Sequence, residues 1–137
     1  MNQSLLFKAA VQYFTEKICN EYGMVSSNDE RTPYLIAMPD GKSSHVIPDC
    51  VIRNKRKTLL TMNVTCTRYA RRTSYNNVYK LQAYIEATDA DDGLLVYPWS
   101  EPIEKTIVLN NGRPSFTFLR ILHIEEDLRK TFEEMQL

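Results

Sequence analysis

The sequence predicts a single α/β domain in which a mixed sheet is flanked by helices. Segments with helical apolar spacing alternate with short runs rich in β-branched or apolar residues. One of these runs, Leu94-Leu95-Val96-Tyr97, is wholly apolar, as expected of a central strand buried on both faces. A chain of 137 residues holds one ordinary core and leaves little room for another, so residues 1–137 are read as one domain.

Residues 5–22 carry Leu6, Ala9, Ala10, Tyr13, Phe14, Lys17 and Ile18 at helical spacing, with Ser4 as N-cap and Gly23 as the stop. The polar stretch 26–32 reads as a loop. The apolar run 34–38 ends at Pro39-Asp40-Gly41, a strong turn signal, and predicts a hairpin whose second strand covers about 44–53. The bend Asn54-Lys55-Arg56-Lys57 leads into a β-branched strand over 58–68. Ser74 opens a second helix with Val78, Leu81, Ala83, Tyr84 and Ile85 as its apolar set, ended by the acidic loop 89–92 and Gly93. After the central strand, Pro98 and Pro102 bracket a loop, 106–109 is a strand, and Asn111-Gly112 turns into a strand over 115–122. Residues 123–135 form a last helix with acidic residues near its start, which suits the helix dipole. The expected order is helix, three strands, helix, strand, two strands, helix.

The composition, 43% hydrophobic and 25% charged, is that of a globular protein. Seventeen Lys and Arg against seventeen Asp and Glu argue against a uniformly polycationic nucleic-acid binder. The distribution is uneven, however. Arg53, Lys55, Arg56, Lys57, Arg68, Arg71 and Arg72 follow one another with no acidic residue between them. No run approaches the roughly 18 apolar residues that a membrane helix needs. The N-terminus lacks the basic start of a signal peptide. Cys19, Cys50 and Cys66 are odd in number and have no CxxC pair, which fits a reducing compartment and a cytoplasmic location without membrane contact.

The segment Val46-Ile47-Pro48-Asp49-Cys50-Val51-Ile52-Arg53 resembles the Pro-Asp strand of the PD-(D/E)xK nuclease superfamily. More narrowly, it is similar to the nuclease domain of McrC, the cutting subunit of the modification-dependent McrBC restriction system. The resemblance continues through residues 59–69, where that family carries a strand ending in Asp-x-Lys. It extends to Asn77-Val78-Tyr79-Lys80-Leu81-Gln82-Ala83-Tyr84, similar to the family's Asp-x-Tyr-Gln-x-x-Ala-Tyr helix. Gly93-Leu94-Leu95-Val96-Tyr97-Pro98 looks like its next strand, and Leu6-Phe7-Lys8 like the start of its first helix. The resemblance implies a restriction-endonuclease-like mixed sheet flanked by helices, with an α-β-β-β-α-β core. It also implies a site in which carboxylates at two strand ends hold Mg²⁺ and a lysine steadies the developing charge.

Asp49 keeps the first carboxylate. The second falls at Asn63, the lysine at Thr65, the first-helix Glu at Lys8, and the second-helix Asp and Gln at Asn77 and Lys80. The strand 58–68 contains no Asp, Glu or Lys that could restore the set. An amide is a weak Mg²⁺ ligand, and a hydroxyl is no substitute for an ammonium. The expectation is therefore a catalytically inactive relative, not an enzyme, with no cofactor. Lys8 is expected in the former metal space, paired with Asp49. The alternative is an active Mg²⁺-dependent DNA endonuclease using Asp49, the one candidate metal ligand, in a rearranged site.

The seven basic residues are the candidate DNA-binding rim, with Tyr69 and Tyr75 placed to stack on a base or sugar. The equal alternative is a solvated bend and loop. The resemblance also implies an AAA+ motor subunit as a protein partner. Because the chain begins at its first helix, the motor-contacting region that such proteins carry ahead of the nuclease domain is expected to be missing. His45 and His123 read as edge or loop residues, Cys66 as a small core residue, and Tyr79, Tyr84 and Trp99 as packing.

Overall fold

The computed structural model describes residues 3–37, 39–40, 43–55, 57–65, 71–98, 106–108, 115–121 and 123–137. Helix α1 (Gln3–Glu21) is followed by β1 (Val25–Asn28), β2 (Thr32–Ala37), β3 (Ser43–Val46), β4 (Cys50–Asn54) and β5 (Lys57–Val64). Then come α2 (Arg71–Thr88), β6 (Asp92–Pro98), β7 (Thr106–Val108), β8 (Ser115–Ile121) and α3 (Ile124–Glu134). Six strands form one mixed sheet in the order β1-β4-β5-β6-β8-β7, and β2 and β3 form a separate two-stranded sheet. In the large sheet β1, β4 and β5 are antiparallel neighbours, and β6 runs parallel to both β5 and β8. Taken as α1, β1, β4, β5, α2 and β6, this is the predicted α-β-β-β-α-β core with a hairpin inserted between its first two strands.

Several expectations are corrected. The polar stretch after α1 contains β1, which lies at the edge of the large sheet. The expected strand 44–53 is two strands, β3 and β4, belonging to different sheets. They part at residues 47–49, where the buried Pro48 offers no N–H to continue a ladder. The hairpin β2–β3 therefore does not extend into β5; the antiparallel neighbours of β4 are β1 and β5. Helix limits also move: α1 takes in Ser4, so Ser4 is not its cap, and α2 begins at Arg71, ahead of Ser74.

Both faces of the sheet are covered, and alternation along the strands sorts the core. Leu60, Met62 and Val64 of β5 and Leu94 and Val96 of β6 pack with Val11, Ile18 and Cys19 of α1 and Leu128 and Phe132 of α3. Leu95 and Tyr97 of β6 pack with Leu81, Tyr84 and Ile85 of α2. The apolar run Leu94–Tyr97 of β6 is buried throughout, as its sequence predicts. The buried side of α1 differs from the expected one: Val11, Thr15, Ile18 and Cys19 face inward, while Leu6 and Tyr13 are exposed. This helix is apolar around more than half its circumference, so spacing alone does not select its inner face.

Gly93 is not the helix stop it resembles. It lies within β6, where an added Cβ would come 2.5 Å from Ile85 Cδ1 and 3.0 Å from Leu81 Cδ2, so its bareness lets α2 sit close on the sheet. Gly23 does act as a stop: at φ +70° it takes the left-handed turn, and Met24 N donates to Cys19 O at 2.9 Å.

Candidate functional site

Register across three neighbouring strands builds the site. Asn28 pairs with Cys50, and Cys50 pairs with Met62, so the next residue in each strand direction places Asp29, Asp49 and Asn63 in a row at one end of the sheet. Backbone bonds continue this order: Asp49 N donates to Met62 O at 3.1 Å, and Asp29 N donates to Asp49 O at 3.4 Å. Helix α1 passes over this end and presents Lys8 and Gln12 one turn apart.

The ammonium of Lys8 lies 2.6 Å from Asp29 Oδ1 and 3.2 Å from Asp49 Oδ1. The other Asp49 oxygen accepts the Val64 N–H at 2.6 Å. Gln12 Nε2 donates to Asp49 O at 2.8 Å and to Asp29 Oδ2 at 3.2 Å. Asp49 is the most enclosed member of the cluster, its side chain 13% exposed against 29% for Lys8 and 47% for Asp29. Burial works against the Lys8 charge, but the hydrogen bond to Asp29 and the field of Asp49 outweigh it, and the ammonium is held above its ordinary value of 10.5. Burial, followed by the charges of Asp49 and Asp29, pushes the Tyr84 hydroxyl of α2 up to about 12.

The expected pairing of Lys8 with Asp49 is present. A further carboxylate, Asp29, which the sequence reading does not single out, shares the same ammonium. Asp29 adopts φ +52°, a left-handed conformation that aspartate tolerates better than most residues. Its place is set by the pairing of β1 with β4, and the stretch containing it reads as loop, so nothing local marks it in the sequence. Gln12 carries a clearer signal, standing four residues after Lys8 on the same helix face.

The remaining positions named by the resemblance are Asn63, Thr65, Asn77 and Lys80. Asn63 is 3% exposed, and among the described residues its Nδ2 has no hydrogen-bond partner. Thr65 N donates to Val96 O at 2.9 Å where β5 leaves the sheet. Asn77 Nδ2 donates to the Tyr97 hydroxyl at 3.4 Å. Lys80 is exposed on α2, with Nζ 5.9 Å from the centroid of the Tyr84 ring.

The basic segment is divided by the fold. Arg53, Lys55 and Lys57 surround the β4–β5 hairpin turn, whereas Arg71 and Arg72 open α2 after the other end of β5. The length of β5, eight residues and about 25 Å, runs from Lys57 to the end from which the chain leads on to α2. Arg53 Nη1 lies 2.8 Å from Glu30 Oε2, and at the hairpin turn Lys57 Nζ lies 2.8 Å from Asp91 Oδ2. Lys55 is exposed at φ +56°. Arg56, Arg68, Cys66, Tyr69 and Trp99 lie outside the described residues, as do the side chains of Arg71, Arg72 and Tyr75.

His45 sits on the edge of the β2–β3 hairpin, 3.3 Å from Arg31 Nη2, and His123 occupies the N-cap position of α3. Tyr84 is buried in the core, while Tyr79 is 68% exposed. Among the described residues, no group of three His, Cys, Asp or Glu could hold a metal ion. Cys19 and Cys50 are free and buried; burial raises both thiols, Cys19 to about 11, so neither is a thiolate at neutral pH. Among the described residues, no helix is long and apolar enough to cross a membrane.

No family model matches the chain, and no curated protein matches it in sequence. Among solved structures, it is similar to a chain of the refined half-complex from a tetradecameric assembly of Thermococcus gammatolerans McrB AAA+ hexamers with bound McrC. The TM-score is 0.72 at 12% identity, over 98% of the present chain. The present chain spans about a third, 34%, of that neighbour's length. At this identity the likeness establishes a shared fold.

Proposed function

We propose that the chain is a McrC-like, PD-(D/E)xK-fold component of a restriction- or defence-type system that binds nucleic acid or a protein motor and does not cut. The observation that carries this reading is the Lys8 ammonium seated between Asp29 and Asp49, at the end of the sheet where the family pattern calls for a metal. Mg²⁺ requires several hard oxygen ligands in near-octahedral array. Here one Asp49 oxygen is engaged by a backbone N–H, the other faces an ammonium, and the next strand supplies an amide and a hydroxyl in place of a carboxylate and a lysine. This donor set does not fit Mg²⁺ as it stands.

An AAA+ motor as partner is supported by the fold shared with a chain from an assembly of McrB AAA+ hexamers with bound McrC. DNA as partner is supported by Arg71 and Arg72, which open α2 in a first turn without acidic residues, just beyond the end of β5 nearest Asp49.

The deciding experiment is a Mg²⁺ and Mn²⁺ titration by calorimetry beside a plasmid-cleavage assay on the unaltered chain. The expected result is no metal uptake and no nicking. Metal-dependent cleavage abolished by Asp49→Ala would overturn the proposal and establish the second reading, an active endonuclease with a rearranged site. That second reading has one observation in its favour: Asp29 brings a second carboxylate to the same ammonium. The triple substitution Lys8→Glu, Asn63→Asp, Thr65→Lys should create divalent-metal uptake if these positions correspond to the family's site. No uptake by a folded triple variant would count against that correspondence.

A further inference from the structure

We draw no further inference here: the strongest candidate, the exposed apolar stripe of Leu5, Leu6 and Tyr13 along the outer face of α1, is an unpartnered helix face, and nothing in the structure shows what covers it, while the Asp29–Asp49 pair belongs to the site already described.

Discussion

The two ends of the β4–β5 strand pair carry similar charges in unlike surroundings. At the hairpin turn, Lys57–Asp91 is an ion pair in which Lys57 is 63% exposed, while Arg53, only 28% exposed, reaches Glu30, the residue after Asp29. At the other end, Asp49 is mostly enclosed and joins three elements: it receives a backbone N–H from β5, faces Lys8 of α1, and lies beside Asp29. Solvent screens Lys57–Asp91 and leaves it worth about 0–1 kcal/mol. The second arrangement is a network centred on Asp49, whose removal would leave the Val64 N–H without its acceptor and take one of two carboxylates from Lys8. The same residue types therefore decorate the surface at one end and hold the structure together at the other.

Asp49→Ala should produce the largest effect. It strands the Val64 N–H and leaves Lys8 with Asp29 alone, an expected loss of about 2–3 kcal/mol in urea unfolding. Lys57→Ala at the opposite end should cost no more than about 0.5 kcal/mol. Asp49→Asn keeps an acceptor for Val64 and should fall between them. Equal losses from Asp49→Ala and Lys57→Ala would erase the contrast between the two ends.

Much of this contrast is invisible along the chain. The central strand β6 is legible because a strand buried on both faces must be apolar throughout, and Leu94 to Tyr97 meet that demand without help from context. Strand β1, Val-Ser-Ser-Asn, has a neighbour on one side only and is partly solvated, so its composition is that of a loop. Asp29 inherits this obscurity, since only the pairing of β1 with β4 carries it to Asp49. The break at Pro48 is masked by the continuous strand-like run around it, although the missing N–H marks the place. The Lys8–Asp49 pair, 41 residues apart in sequence, follows from the resemblance and from no periodicity in the chain.

Lys8→Met tests the ammonium separately. It removes the charge while keeping much of the stem, and should cost about 1 kcal/mol near neutral pH, less than Asp49→Ala, because Asp49 keeps its backbone donor. The pH dependence has a defined sign. The folded value of Lys8 is raised above 10.5, so its contribution is fully present below that value and disappears as pH rises through the folded value. The stability difference between the unaltered chain and Lys8→Met should stay constant from pH 7 to 9 and shrink above about 10.5. A difference that instead grows with alkalinity would mean that Lys8 is not held by the carboxylates.

The smallest expected effects concern nucleic acid, and they depend on the fold separating the basic segment into two groups. Each phosphate contact contributes about 0.9 to the slope of log affinity against log salt. Neutralising Arg71 and Arg72 together should lower the slope of duplex-DNA retention by at most about 2 and leave unfolding nearly unchanged. Replacing Lys55 and Lys57 by Gln should leave that slope unaltered. These two lie at the hairpin turn, about 25 Å of strand away from the Asp49 end, and Lys57 already faces Asp91. If the two double variants lose the same slope, DNA follows the basic segment as the sequence orders it, along the whole strand, and the division by β5 has no bearing on binding. If only the Arg71–Arg72 variant loses slope, nucleic acid is held at the end of the sheet where Lys8 bridges the two carboxylates.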